Sequence, residues 1–202
     1  AHLMGVGAEI HLVKNLPTAA GIGGGSSDAA ATLRALAAMT GRAIPADVLP
    51  LGADVPVCML ARAARMAGIG EIALPVEGLP ELHAVLVNPR VSVTTSEVFK
   101  ALESKGNSKM GSTPPEWGGA RGLCAWLATQ RNDLEAPAIG LQPVIGEVLS
   151  ALNGQEGALL ARMSGSGATC FAVFETRERA EAQAQILARK YPAGWVKATT
   201  LS

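Results

Sequence analysis

Glycines and serines are concentrated in the stretch PTAAGIGGGSSDAAATLRAL, residues 17–36, which continues as an alanine-rich run. Glycines lack the Cβ atoms that would keep a main chain away from an anion. A helix that begins directly afterwards adds unpaired N–H donors and the positive end of its dipole. This combination is typical of a phosphate site, although a plain glycine-rich turn between a strand and a helix has the same composition.

The spacing of this loop excludes two common nucleotide-binding patterns. No Gly-Lys-Ser/Thr follows at the right distance, so the loop is not a Walker A motif. The sixth position counted from Gly21 is Ser26, so the loop is not GxGxxG either. The hydroxyls of Ser26 and Ser27 can cap the helix, contact a phosphate or help to hold Mg²⁺.

A carboxylate suited to proton transfer lies in LGADVPV, residues 51–57. Gly52 and Pro56 give Asp54 an irregular backbone, which can aim a short side chain at a site. A kinase needs such a group to orient an acceptor hydroxyl and take its proton, while an aspartate that caps a turn is the alternative. Asp28 is a rival carboxylate, but its place early in the predicted helix favours stabilisation of the helix N-terminus.

Other polar residues receive simpler interpretations. The small residues of Ser164–Gly167 form a second compact turn, which on its own is typical of an ordinary tight turn. Arg90 could reach a phosphate, but a solvated charge is the simpler interpretation. Asn132 and Asp133 are expected to cap or brace an interface between helices.

Periodicity predicts the elements that must position these residues. Alternation over 8–14 indicates a strand with one wetter face, and an apolar stripe predicts a helix from about Ser27 to Met39, ended by Gly41. Breakers over 72–81 indicate a domain boundary. Strand–helix alternation with an adjacent strand pair favours an α+β fold. The later predicted elements are a strand over 83–89, a helix after the Thr94/Glu97 capping box, a loop over 105–122, helices over 123–130 and 143–152, a strand over 168–175, a helix over 176–190 and a strand over 195–199.

Composition excludes several classes of protein. Lys+Arg and Asp+Glu both number 17 and aromatic residues make up 3%, so neither a basic field nor a stacking platform indicates nucleic acid. No apolar run reaches the roughly 18 residues of a membrane span. The three cysteines and three histidines are too scattered for a disulfide framework or a zinc site. Together with the lack of a visible signal peptide, the cysteines indicate a cytoplasmic protein.

The stretch PTAAGIGGGSSDAA resembles the ATP loop of the GHMP kinase superfamily, whose general form is P-x-x-x-G-L-G-x-S-S. Further stretches resemble the same superfamily, appear in its order and cover nearly the whole chain. They are LGADVPV at 51–57, AGIGE at 67–71, VNPRVSVTTSEVF at 87–99, RNDLE at 131–135 and MSGSGATCFAVF at 163–174.

The resemblance implies a GHMP kinase two-domain α+β fold. Residues 1–78 would be a remnant of the nucleotide-binding and catalytic domain, of the ribosomal S5 domain 2-like type, and 79–202 a ferredoxin-like domain, with substrate in the cleft between them. It also implies ATP and Mg²⁺ as cofactors, Asp54 as the catalytic base, and a Ser164–Gly167 turn folded against the first loop. The residues expected to bind ATP are Pro17, Thr18, Ala19, Ala20, Gly21, Ile22, Gly23, Gly24, Gly25, Ser26 and Ser27.

The doubled serine after three glycines is most similar to a superfamily member of the non-mevalonate isoprenoid pathway. That similarity implies transfer of the ATP γ-phosphoryl to the 2-hydroxyl of a small-molecule substrate, a cytidine diphosphate-linked methylerythritol. Two alternatives stay open. One is another GHMP small-molecule kinase, of the homoserine or mevalonate type, and the other is a catalytically silent nucleotide-binding remnant.

The family pattern also includes stretches that this sequence lacks. Neither a Pro-Ala-Lys-Ile-Asn-Leu nor an Asp-Gly-Tyr-His stretch occurs in the 202 residues, and the opening AHLM resembles a cloning scar. We expect either a fragment or a chain from which segments have been dropped. A sheet without its first strands would expose an edge and a face, so we expect these 202 residues alone to be inactive and aggregation-prone.

Overall fold

The structure is a computed structural model that describes residues 4–18, 20–104, 106–114 and 116–202. It divides into two compact units, and the predicted α+β class is confirmed. The first unit contains the chain as far as Leu16 together with Gly23–Glu77, and the second contains Pro17–Ile22 and Gly78–Ser202. The assignment of residues 1–78 and 79–202 to two functional domains stays a prediction.

The first unit consists of two helices and a hairpin, joined by irregular segments. The first helix fills its inner side with Leu33 and Leu36, which pack with Met4, Val48 and Val55 into a small core. The elements of the first unit are α1 (Gly24–Thr40), a 3₁₀ turn (Leu49–Leu51), α2 (Val55–Leu60), β1 (Ala64–Ala67) and β2 (Ile72–Pro75).

One sequence prediction for this unit is wrong. The segment 8–14 forms no strand, and Ile10 and Leu12 are 56% and 61% exposed. Alternation indicates which face could be buried, but a strand also needs a neighbour, and none of the described strands pairs with this segment. The boundary that the breakers indicate over 72–81 agrees with the structure, since the two units divide between Glu77 and Gly78. The same stretch contains β2, which periodicity missed and which pairs antiparallel with β1 across a glycine-containing turn.

The second unit is an antiparallel sheet covered by helices. Its elements are β3 (Leu82–Asn88), α3 (Thr95–Lys100), α4 (Gly119–Ala128), α5 (Glu135–Leu141), α6 (Val144–Asn153), β4 (Ala158–Met163), β5 (Cys170–Phe174), α7 (Arg177–Lys190) and β6 (Trp195–Leu201).

The sheet of the second unit has the strand order β4-β5-β3-β6, with every neighbouring pair antiparallel. The strand β4 and the helix α5 are additions that sequence periodicity missed. The chain runs from β3 through helices to β4, turns back as a hairpin into β5, and crosses by α7 to β6. This β-α-β-β-α-β order is the ferredoxin-like arrangement that the resemblance implies.

The core of this unit lies between the sheet and the helices. Alternate residues of β5 supply Cys170, Ala172 and Phe174, each with no exposed surface, and α6 supplies Ile145 and Leu152. Side chains alternate between the two faces of a strand and recur every three to four residues on one face of a helix. These two periods place the listed residues in one layer between the sheet and the helices. Within the described residues, no helix has the length and apolar character needed to cross a membrane.

The helix α3 shows how a local sequence signal fixes an element. Thr94 Oγ1 accepts the amide of Glu97 at 3.2 Å, and Glu97 Oε2 accepts the amide of Thr94 at 3.0 Å. This reciprocal pair is the predicted capping box, which satisfies two N–H groups at the start of the helix. The hydrogen bonds from Thr94 hold the pKa of the Glu97 carboxyl below its usual range.

Phe174 and Phe99 offer a direct test of where the core lies, because the first is fully buried and the second is 48% exposed. We expect Phe174→Ala to lower the free energy of unfolding by about 3–5 kcal/mol, since it removes buried contacts and leaves a cavity. The matched change Phe99→Ala should cost roughly 1 kcal/mol or less. Chemical denaturation of both variants measures this, and equal losses would contradict the described core.

Candidate active site

The head of α1 carries the glycines of the sequence motif. The helix begins at Gly24, three residues before the predicted start, and Gly23 lies before it with φ 65°. Gly24, Gly25, Ser26 and Ser27 therefore form the first turn instead of a preceding loop. The earlier start escaped sequence analysis because glycine is a poor helix former.

This first turn leaves main-chain donors unpaired. The amide of Ser27 donates to the carbonyl of Gly23 at 2.9 Å, which is the first hydrogen bond of the helix. Helical geometry gives no acceptor to the amides of Gly24, Gly25 and Ser26, and no described side chain caps them. Among the described residues, the serine hydroxyls thus do not cap α1, and three N–H groups without a helical acceptor lie at the positive end of its dipole.

The space around Gly25, in the middle of this turn, is open. Gly25 is exposed, and a Cβ atom built on it would meet no described atom within 4 Å. An incoming anion can therefore approach the turn closely. Free amides, a helix dipole and access to solvent together make the turn fit a phosphate group.

Asp54 brings a carboxylate close to the head of α1. Asp54 Oδ2 lies 3.9 Å from the position that a Cβ on Gly23 would occupy. Asp54 is exposed and lies immediately before α2. The amide of Val55, the first residue of α2, donates to the carbonyl of Gly52 at 3.0 Å. The Asp54 side chain makes no capping hydrogen bond to the described part of α2. The carboxylate is thus not engaged in the capping role that the sequence left open.

A cation that sequence analysis missed also lies at this turn. Lys14 Nζ contacts Asp28 Oδ2 at 2.5 Å and would lie 3.2 Å from a Cβ on Gly24. Asp28 is the fifth residue of α1, beyond its first turn, so the expectation that it stabilises the helix N-terminus is wrong. Its carboxylate instead holds Lys14 next to the glycines. The two residues are 14 positions apart, and no local pattern indicates their pairing.

The first half of the motif is held inside the second unit. Ala20 is buried and Gly21 is half-buried, with φ 69° at Gly21. A Cβ on Gly21 would come within 2.5 Å of the carbonyl oxygen of Ser164, so only glycine fits there. Pro17 and Ile22 are half-buried, Thr18 is exposed, and Ala19 lies outside the described residues.

The contact partner of Gly21 is the turn Ser164–Gly167. Ser164 Oγ donates to the carbonyl of Gly21 at 2.8 Å, and the amide of Thr169 donates to the carbonyl of Ala20 at 3.3 Å. Within the turn, the amide of Gly167 donates to the carbonyl of Ser164 at 2.9 Å. The turn thus folds against the first half of the motif, as the resemblance implies.

Of the remaining candidates, Arg90 is not among these contacts, whereas Asn132 contacts the turn. Arg90 is exposed, with φ 59°, and its amide donates to Asn88 Oδ1 at 2.7 Å. Asn132 does not brace two helices, because its amide group contacts the carbonyls of Met163 and Gly165. In the part of the chain that the structure describes, no group of three or more His, Cys, Asp or Glu residues is placed to hold a metal ion.

Comparison with known proteins agrees with this geometry. The model of the GHMP kinases N terminal domain matches residues 1–66, and the model for GHMP kinases C terminal matches residues 120–193. A 4-diphosphocytidyl-2-C-methyl-D-erythritol kinase of Dinoroseobacter shibae is 55% identical over all of this chain and 70% of its own length.

Solved structures show the same relationship. A crystal structure of 4-(cytidine 5'-diphospho)-2C-methyl-D-erythritol kinase matches with a TM-score of 0.71 and 34% identity, over 93% of this chain and 68% of its own. A homoserine kinase from Cytophaga hutchinsonii, with a TM-score of 0.61 and 18% identity over 94% of this chain and 68% of its own, shares the fold.

The chain belongs to the GHMP kinase family, with the two-domain α+β fold that the family defines. Within that family it falls among the 4-diphosphocytidyl-2-C-methyl-D-erythritol kinases. It is therefore a small-molecule kinase, and ATP is its phosphoryl donor.

The pKa of the Cys58 thiol depends on the charge of Asp54. Burial raises the pKa of Cys58, the Asp54 carboxylate raises it further, and Arg34 lowers it. Asp54→Asn should therefore lower the pKa of Cys58 and increase the fraction of Cys58 that is thiolate at a fixed, mildly alkaline pH. We expect alkylation of Cys58 by iodoacetamide to become roughly two- to fivefold faster, given the strength of a solvated charge pair.

Two controls accompany the alkylation rates. Asp47→Asn removes the same charge seven positions earlier and should leave the rate at Cys58 unchanged. Cys170 is buried, and burial with a smaller contribution from Glu135 raises its pKa to about 12, so it should stay unmodified in the folded protein. An unchanged rate at Cys58 in Asp54→Asn would contradict the described proximity.

Proposed function

We propose that the chain phosphorylates the 2-hydroxyl of 4-diphosphocytidyl-2-C-methyl-D-erythritol with ATP, in the methylerythritol phosphate pathway of isoprenoid biosynthesis. The names of relatives at 50–55% identity support this substrate. The observation that carries the chemistry is the approach of the Asp54 carboxylate to Gly23, at the head of a helix with free amides.

Residues 17–27 bind the ATP phosphates in this proposal. The amides of Gly24, Gly25 and Ser26 point from the positive end of α1 and are free to donate to phosphate oxygens. The open space at Gly25 permits close approach, which a side chain would hinder. Lys14 adds a positive charge beside the same turn and thereby offsets part of the phosphate charge. Ala19 belongs to the proposed set, although it lies outside the described residues.

Asp54 is the proposed catalytic base. Its carboxylate orients the acceptor hydroxyl toward the γ-phosphoryl and accepts the hydroxyl proton as the new P–O bond forms. Freedom from a capping hydrogen bond leaves its oxygens available for this contact. Because phosphoryl transfer depends mainly on positioning and electrostatics, one well-placed carboxylate and a set of donors are sufficient chemistry for the protein to provide.

Mg²⁺ is the proposed metal cofactor, and it would neutralise charge on the transferring phosphates. Magnesium commonly binds through substrate phosphates and water with one or two protein ligands, so a dedicated side-chain cluster is not needed. The hydroxyls of Ser26 and Ser27 are the proposed protein contacts. Their position in the first turn of α1 places them next to the free amides.

The same proposal assigns residues 1–78 to the ATP-binding and catalytic domain and 79–202 to the C-terminal domain. The matched family segments at 1–66 and 120–193 support this assignment. We also propose that the protein acts in the cytoplasm, because its three cysteines are free thiols and thiols persist in a reducing compartment.

An acceptor panel tests the substrate. The natural full-length protein is incubated with ATP, Mg²⁺ and equal concentrations of the cytidyl substrate, homoserine or mevalonate, and ADP release is followed. We expect turnover with the cytidyl substrate at least 100-fold above the other two. Phosphorylation of homoserine or mevalonate instead would favour the alternative kinases, and ATP binding without turnover of any acceptor would favour a silent nucleotide-binding protein.

Asp54→Asn separates chemistry from binding. We expect kcat to fall by about 10²–10⁴-fold, the usual contribution of a positioned base, because the amide cannot accept the proton. The dissociation constant for ATP should change little, since the phosphate donors are main-chain groups. Asp47→Asn is the matched control, because Asp47 only accepts the amide of Leu49 in an exposed turn. A kcat within threefold of wild type in Asp54→Asn would remove Asp54 from the mechanism.

A further inference from the structure

We propose that Asn132 is a positioning residue of the ATP loop, which it controls by holding the turn Ser164–Gly167 against Ala20 and Gly21. The proposal rests on the function proposed above. Asn132 forms no hydrogen bond with the described residues of the loop, so its action passes through the turn. Every contact in this chain of hydrogen bonds lies within the second unit.

The side chain of Asn132 makes three hydrogen bonds at and beside this turn. Its Nδ2 donates to the carbonyl of Met163 at 3.1 Å and to the carbonyl of Gly165 at 2.9 Å. Its Oδ1 accepts the amide of Leu134 at 3.1 Å, which fixes the orientation of the amide plane. An asparagine has two such donors and one acceptor group, so few other side chains could make the same three contacts.

Contacts on either side hold the ends of the turn. Glu135 Oε2 accepts the amide of Met163 at 3.0 Å. After the turn, the buried Thr169 accepts a hydrogen bond from Asn88 Nδ2 at 2.9 Å. Between these anchors, Asn132 is the side chain that reaches the carbonyl of Gly165, in the middle of the turn. Its loss would release the carbonyl of Gly165, whereas the contact of Thr95 Oγ1 with Ser166 Oγ at 2.9 Å would remain.

The contact between turn and loop transmits any displacement. Ser164 Oγ holds the carbonyl of Gly21 at 2.8 Å. A Cβ on Gly165 would lie 2.9 Å from the carbonyl oxygen of Gly21, so the two backbones touch with no room for side chains. A shift of the turn by a fraction of an ångström therefore moves Gly21, which is one of the residues proposed to bind the ATP phosphates.

Asn132→Asp tests the proposal in the natural full-length protein. The change keeps the shape and the acceptor for Leu134 but removes both donors and turns a carboxylate toward two carbonyl oxygens. We expect the KM for ATP to rise about tenfold, as for the loss of hydrogen bonds that hold a binding loop, while kcat stays within about threefold. Asp133→Asn is the neighbouring control, because Asp133 pairs with Arg131 on the surface and should leave both constants unchanged.

Amide hydrogen exchange supplies a readout that does not depend on catalysis. In Asn132→Asp, the amide of Thr169, which donates to the carbonyl of Ala20, should exchange at least tenfold faster than in wild type. The amide of Val85, in the central strand β3, should keep its protection and so report an intact fold. Asn132→Ser serves as the second variant if Asn132→Asp does not fold, with the same expected direction.

The outcomes separate this proposal from the proposed function. A KM for ATP within twofold of wild type, together with unchanged exchange at Thr169, overturns the role of Asn132. If the wild-type protein fails to phosphorylate the cytidyl substrate, the proposed function is wrong, and the exchange rate at Thr169 still decides whether Asn132 positions the loop. Loss of protection at Val85 in both variants would show a general structural role and would also overturn the proposal.

Discussion

Three main-chain N–H groups without helical acceptors, at Gly24, Gly25 and Ser26, are the constraint on which the candidate site depends. Unpaired donors are costly when they are buried, but here Gly25 is exposed and Gly24 and Ser26 are only half-buried, at the positive end of α1. Glycines are required for such an opening because they leave the donors uncovered. The cost is a weak start to the helix, which the alanine-rich continuation and the Gly41 C-cap offset.

The two halves of the glycine motif meet different requirements. Residues 23–27 must leave donors free, and they do so within a helix whose inner face packs on the small core of the first unit. Residues 17–22 must keep a fixed backbone conformation. Ser164 and Thr169, in the second unit, fix it by donating hydrogen bonds to the carbonyls of Gly21 and Ala20. The motif is rich in glycine for two separate reasons. Gly21 must fit against the backbone of the Ser164–Gly167 turn, and Gly25 must leave space open at the head of α1.

Sequence patterns correctly predicted the elements that depend on interactions between residues close together in the chain. The capping box of α3, the ends of α7 and the buried strand β3 each follow from residue spacing within one element, and all three are confirmed. The strand over 8–14 failed for the opposite reason, since alternation carries no information on a pairing partner. The strand β2 was missed because Pro75, Gly78 and Pro80 lie in or just after it and broke the period, although the boundary that they indicated agrees with the division between Glu77 and Gly78.

The contacts of the candidate site were beyond sequence patterns. Lys14 meets Asp28 across 14 positions, and Asn132 meets Met163 and Gly165 across 31 and 33. Such pairings depend on how elements pack, which no single-sequence period encodes. The resemblance to a known family supplied the candidates, but it could not say that Asp54 makes no capping bond or that Asn132 holds the turn instead of a helix interface.

A crystal structure with a non-hydrolysable ATP analogue tests the central claim most directly. We expect the terminal phosphates to accept hydrogen bonds from the amides of Gly24, Gly25 and Ser26 at about 2.7–3.2 Å, with the Asp54 carboxylate facing the γ-phosphate. Phosphates bound away from the head of α1, or an Asp54 side chain directed away from them, would contradict the assignment of this turn as the nucleotide site.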